Sequence, residues 1–296
     1  MTLIILYGIK ENRRDVTEIC LNKLNTNNII SIPSGDLNRG ELFTDHIYGI
    51  EKTIFIIINQ IESEYDQTYR VKINVTDYSI DAENDAEINK KINIIHNKLK
   101  IKYGSFRDEL PEQKMAVRYL TGNEKVLEIG GNIGRNSLVI ASIVNNDHFV
   151  SLESDANIAK KLEENRNLNN YKFHIENSAL SKRKLIQKGW DTKPSDVLEV
   201  GYNWVNIINL DELNIKYKIN FDTLVLDCEG AFYYILMDMP EILNNIQLII
   251  MENDYHDISH KNYVDSILKK YNFSKEYQEA GGWGCCYKNF FEVWKK

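Results

Sequence analysis

From Val126 onward, short apolar runs alternate with longer stretches in which apolar residues recur every three or four positions. The runs predict strands at 125–129, 148–152, 171–175, 221–226 and 246–251; the periodic stretches predict helices at 134–144, 155–169, 231–237 and 259–271. Strands and helices in alternation imply a mostly parallel sheet with helices on both faces. Residues 180–206 follow neither period and read as irregular. Near the end the pattern changes: strand-like runs at 273–278 and 286–294 flank Gly281-Gly282, which reads as an antiparallel hairpin. Upstream, strand-like runs at 2–7, 28–32, 53–58 and 69–75 and a helix-capable stretch from Asp15 to Leu24 are separated by turns such as Pro33-Ser34-Gly35-Asp36. Ile88, Ile92, Ile95 and Leu99 recur at helical spacing, with acids early and lysines late, as the helix dipole favours. The organisation expected is a small β-rich module over 1–80, a linking helix over 81–104 and an α/β domain over 105–296. Pro111 suits the first turn of a helix running to about Leu120.

The first strand of the α/β domain runs into Glu128-Ile129-Gly130-Gly131-Asn132-Ile133-Gly134, and a helix follows. Glycines let the backbone turn sharply and approach a ligand, and the N–H groups opening the helix face the turn. Such a site lies at the carboxyl end of a parallel strand, where open sheets bind ligands. The glycines do not fall in G-x-G-x-x-G, so a pyrophosphate cradle is not indicated. An acid precedes the loop at Glu128 and another, Glu153, ends the next strand, where a carboxylate can accept hydrogen bonds from a ribose diol. That pair of acids is the pattern expected for S-adenosylmethionine (SAM).

Composition narrows the setting. The chain has 296 residues, 43% hydrophobic and 27% charged, which is ordinary for a globular protein. A net charge of −7 without a basic run argues against nucleic-acid binding. Ile54–Ile58 is far too short to span a membrane, and no leader-like segment opens the sequence. Cys20, Cys228, Cys285 and Cys286 lack zinc-site spacing and read as reduced thiols of a cytoplasmic protein.

A second signature lies at Leu224-Val225-Leu226-Asp227-Cys228-Glu229-Gly230-Ala231, preceded by Leu210-Asp211-Glu212-Leu213 and followed by Ile250-Met251-Glu252 with His256 behind it. With the glycine loop, this order resembles the FkbM family of SAM-dependent methyltransferases over roughly residues 105–294. That family shows D-I-G-A-N-x-G, a strand-end E, L-D-x-L, K-I-D-x-E-G-A-E and an I-x-E strand. Glu128 stands for its aspartate, Gly131 for its alanine, Leu226 for its common lysine, and Phe232 for a polar residue. The resemblance implies a Rossmann-like class I methyltransferase fold with a mostly parallel seven-stranded sheet ending in an antiparallel hairpin. It also implies O-methylation of a sugar or glycan hydroxyl.

By that resemblance, Gly130, Gly131, Asn132 and Gly134 shape the loop around the methionine part of SAM, Glu128 anchors it and Glu153 holds the ribose. Asn177 or Ser178 would meet the adenine. Asp227 would face the methyl group and act as base on the acceptor, with Glu229, Glu252 and His256 as further candidates. A hydroxyl is a weak nucleophile, so a carboxylate or imidazole in reach would help. Phe106, in an aromatic loop before the first core strand, reads as ordinary packing before it reads as a lid contact. Asp227, Glu229, Glu252 and His256 are also hard-metal ligand types, but no spacing demands a metal and none is expected. The acceptor is expected to be a small molecule or carbohydrate. The 1–80 module would serve substrate recognition or homo-oligomerisation, or simply extend an edge. Two other functions stay open: a Rossmann-fold NAD(P)-dependent oxidoreductase and a non-catalytic scaffold of the same fold.

Overall fold

The computed structural model describes residues 2–296. They form two compact units: one takes in the chain up to Lys90 with Gln278–Trp283 and Tyr287–Phe290, the other Lys91–Tyr277 with Gly284–Cys286 and Phe291–Lys296.

The second unit holds the α/β pattern: α1 (Leu110–Tyr119), β1 (Val126–Ile129), α2 (Arg135–Ile143), β2 (Phe149–Leu152), α3 (Ala156–Leu168), β3 (His174–Glu176), α4 (Leu210–Tyr217), β4 (Thr223–Leu226), α5 (Ala231–Asp238), β5 (Leu248–Glu252), α6 (Ile258–Lys270), β6 (Ser274–Glu279) and β7 (Phe291–Lys295). The strands lie in the order β3-β2-β1-β4-β5-β7-β6, parallel from β3 to β5, with β7 antiparallel to β5. Every residue of β1, β2 and β4 is buried, as central strands covered on both faces require. Local chemistry sets the helix starts. Asp155 accepts from the N–H groups of Asn157 and Ile158 at 2.8 and 3.0 Å to open α3. Asn209 and Glu212 cap α4 reciprocally.

Several elements depart from the sequence reading. Residues 180–206 are not irregular: Leu185–Lys188, Asp191–Pro194 and Asn203–Trp204 form a three-stranded antiparallel sheet inserted between β3 and α4. Its strands are too short to show a period. The terminal hairpin does not turn at Gly281-Gly282 alone. A 3-10 helix over Gly284–Asn289 occupies the connection, so the last strand begins only at Phe291. No helix among the described residues is long and apolar enough to cross a membrane.

The first unit is β-rich. One antiparallel sheet joins Asn12–Asp15, Leu3–Ile9, Thr53–Ile58 and Ile61–Tyr65, and a second joins Asn25–Thr26, Ile29–Ile32, Tyr69–Asn74 and Ile80–Asn84. Their inner faces pack around Ile5, Ile30, Ile32, Phe43, Ile54, Ile56, Val71 and Ile73. Ile80–Asn84 is therefore a strand paired with Tyr69–Ile73, and the helix of the 81–104 stretch begins at Ala86. The Asp15–Leu24 stretch is α-helical only over Thr17–Ile19 and continues as a π-helical turn.

Candidate active site

The loop after β1 presses against the end of β4. Gly130 has φ +94°, and a Cβ there would fall 1.5 Å from the Asp227 carbonyl oxygen, so only glycine fits. The N–H groups of Gly130 and Gly131 donate to Leu152 O at 3.0 and 2.9 Å, tying the loop to β2. Gly134, at φ +92°, opens α2 with Leu162 packed where a side chain would begin.

Two glutamates flank the loop in sequence, and Glu153 bonds to it directly. Glu128 is buried and accepts hydrogen bonds from Ser137 and Ser151. Burial, with the charges of Glu109 and Glu153, pushes it up to about 7 against those two bonds. It ties β1 to β2 and to the first turn of α2, and it does not line the cavity. One oxygen of Glu153 accepts from Asn132 N–H at 2.8 Å and the other from Asp155 N–H at 2.8 Å. Glu153 also faces the cavity, with its carboxyl pushed up by burial.

The cavity measures about 340 Å³ and lies over the carboxyl ends of β1, β2, β4 and β5. Of the residues singled out in the sequence, Gly130, Asn132, Glu153, Ser178, Asp227, Glu229 and Glu252 line it. Gly131, Gly134, Glu128, Asn177 and His256 do not. The Asn177 amide nitrogen donates to the carbonyls of Glu153 and Ser154 at 2.8 and 3.2 Å, so it holds the turn that carries Glu153. His256 is exposed, and its charge opposes the upward push of burial on Glu229. Phe106 is not a lid: its ring stacks on His96 with centroids 4.8 Å apart, and it does not line the cavity.

Two acids that the sequence reading missed complete this end of the cavity. Glu109 and Glu112 come from the start of α1. Glu109 pairs with Arg135 and accepts from the Asn132 side-chain amide at 3.3 Å. Glu112 is hydrogen-bonded to Glu252. In sequence both look like ordinary first-turn acids; only the packing of α1 turns them inward. Burial first, then the Glu112 bond and the Asp227 charge, push Glu252 up to about 12. Asp227 is raised well above the carboxylate range by burial and by Glu112, Glu109, Asp254 and Glu229. Beneath them, Asp254 accepts from Gly230 N–H at 2.7 Å and burial pushes it up to about 7.

Part of the wall is apolar. Leu180, Leu185, Pro194, Tyr234, Ile235 and Met239 line it, together with Trp190 from the inserted sheet. Gln187 of that sheet accepts from Ser154 Oγ at 3.2 Å, which ties the insertion to the end of β2. Arg183 faces the same wall but is held by Asp238 through paired bonds of 2.6 and 2.7 Å. Among the described residues no group of His, Cys, Asp or Glu has the arrangement of a metal site.

The strand order and the position of this cavity define a Rossmann-like fold of the methyltransferase class, with a mostly parallel sheet and an antiparallel end. No family model matches the chain. Over 98 residues it is 35% identical to the 2-oxoglutarate dehydrogenase E1 component of Rickettsia felis; the match takes in 33% of this chain and 10% of that protein. The chain thus spans about a tenth of the length of that curated relative. Among solved structures it is similar to a ribosomal protein L11 methylase from Lactobacillus delbrueckii subsp. bulgaricus, with a TM-score of 0.41 and 12% identity, over 66% of this chain and 81% of that one. It is also similar to a tRNA (m1A22) methyltransferase assignment from Streptococcus pneumoniae, solved in complex with S-adenosyl-L-methionine, with a TM-score of 0.40 and 12% identity, over 65% of this chain and 73% of that one.

Proposed function

We propose that this chain is a SAM-dependent methyltransferase of the FkbM type that methylates a hydroxyl of a sugar or glycan, with residues 105–296 as the catalytic domain. The observation that carries the reading is the convergence of the glycine loop, Glu153 and Asp227 on one cavity. Its size falls in the range of small-molecule sites, about 300–1,000 Å³.

The donor set fits the cofactor part by part. A cationic amino-acid moiety suits the acidic end, Asp227 above all. A ribose diol suits Glu153, whose oxygens keep lone pairs beyond the two backbone bonds they accept. An adenine ring suits the space between Leu152, Ser154, Ser178 and Leu180. When bound, SAM supplies an electrophilic methyl group on a positively charged sulfur, which leaves as a neutral thioether.

The residues of the chain provide alignment and a base. Burial and neighbouring acids keep a proton on Asp227, and a cation nearby would favour its ionised form, leaving a carboxylate that can accept the hydroxyl proton. Glu229 and Glu252 line the same end and are the alternative bases. The apolar wall with Trp190 and Tyr234 excludes water and offers ring faces to a sugar. The four cysteines are free thiols, which suits a reducing, cytoplasmic setting.

Calorimetric titration of the purified protein with S-adenosylhomocysteine and, separately, with NADH tests the reading. Micromolar binding of the former, weakened at least tenfold by Glu153→Gln, is expected (about 1.4 kcal/mol). Binding of NADH alone would overturn the proposal in favour of an oxidoreductase.

A further inference from the structure

The acidic end of the cavity gathers more carboxyl groups than the cationic groups of the cofactor can pair with. Glu112, Asp227 and Glu252 are brought there by three separate elements, α1, β4 and β5, and Glu229 lies beside them. Glu112 is 6% exposed, lines the cavity, and no N–H or hydroxyl donor reaches its Oε2. Its bond to Glu252 is one carboxyl against another. A buried carboxylate without a donor is costly, so such a pair keeps a proton until a cation replaces it. Among the described residues the one basic side chain lining the cavity is Arg183, and Asp238 already holds it.

We propose that the Glu112–Glu252 pair binds a cationic nitrogen of the acceptor, so that the acceptor is an amine-bearing molecule such as an amino sugar. This rests on the methyltransferase reading above. SAM brings an ammonium, a sulfonium and a carboxylate, a net charge of one. With its ammonium near Asp227, the Glu112–Glu252 pair keeps only the charge of Arg135, which acts on Glu112 and is itself paired with Glu109. An N–H donor on the acceptor would supply the bond that Glu112 Oε2 lacks and would fix the acceptor beside Asp227. A divalent cation answers the same charge less well, since no metal-type grouping occurs among the described residues. A phosphate-rich acceptor would meet repulsion from every acid named here.

Methyl transfer from radiolabelled SAM onto matched acceptor pairs tests the inference. The pairs are glucosamine with N-acetylglucosamine, galactosamine with N-acetylgalactosamine, and ethanolamine with ethylene glycol. The amine member is expected to be preferred by at least roughly tenfold in one pair or more. Glu112→Gln should shrink that preference to less than about twofold, because only the charge attraction is lost. Glu252→Gln gives the same reading if the first variant does not fold. Equal or better use of the uncharged members overturns the inference, as does failure of every amine to be methylated by protein that binds S-adenosylhomocysteine. Failure to bind S-adenosylhomocysteine overturns the parent reading instead.

Discussion

Glu252 and Glu292 sit on neighbouring strands one register apart: Glu252 pairs with Phe291, and Glu292 with Met251. Opposed residues share a face, so the two glutamates point to opposite sides of the sheet. Glu292 is fully buried, yet it is bonded to Lys261 at 2.8 Å and to Lys275, and accepts from Trp294 Nε1 at 2.9 Å. Burial pushes it up, but the two lysines outweigh burial and hold it below the usual carboxylate range. Glu252 faces other carboxyls and is pushed up to about 12. The fold neutralises one acid with its own lysines and leaves the other for whatever enters the cavity. A buried charge with its own counter-ion is architecture; one without is a site.

Breaking the neutralised side should have the largest effect on stability. Lys261→Met leaves Glu292 buried with Lys275 as its remaining lysine, and a loss of about 3–5 kcal/mol is expected in urea unfolding. A loss under about 1 kcal/mol would mean that Glu292 is not held as a charge. Glu252→Gln should behave in the opposite way. An amide gives Glu112 a donor and removes an uncompensated carboxyl, so unfolding should shift by no more than about 1 kcal/mol while methyl transfer to an amine acceptor falls roughly tenfold.

The pH dependence sharpens the same contrast. Glu128 and Asp254 are each pushed up to about 7, chiefly by burial. The unfolded chain gives up these protons first, so the contribution of these two groups to stability should fall as pH rises from about 4 to about 7 and level off above that. The contribution of Glu292 has the opposite sign, since its carboxyl is held low: it is present above the unfolded carboxylate range and is lost as pH falls through that range. Melting temperatures measured across this window check both, and Asp254→Asn should flatten the upper slope. The smallest effect is expected from Trp190→Ala. The side chain is 60% exposed, so stability should change by less than about 0.5 kcal/mol while the acceptor KM rises roughly three- to tenfold.

The strands that build the site were legible because each is short, apolar and followed by a glycine or an acid. The loop Gly130–Gly134 and the strand ends Glu153, Asp227 and Glu252 could be located for that reason. Glu112 could not be: in sequence it is an acid in the first turn of a helix, and its burial depends on where that helix packs. The inserted sheet was illegible for another reason. Strands of two to four residues show no alternation, and their cavity-lining residues Leu185, Gln187, Thr192 and Pro194 share no pattern. Phe106 packs as its loop setting favours, with His96 on the preceding helix as its partner.

Proton exchange on ligand binding tests most directly the claim that a ligand, and not the protein, neutralises the acidic end. S-adenosylhomocysteine should be titrated calorimetrically near neutral pH in two buffers of different ionisation enthalpy. An ammonium arriving beside Asp227 should displace protons held by the acid cluster, so the account predicts binding with net proton release that is reduced in Glu252→Gln. Binding with no proton exchange, or no binding, would contradict it.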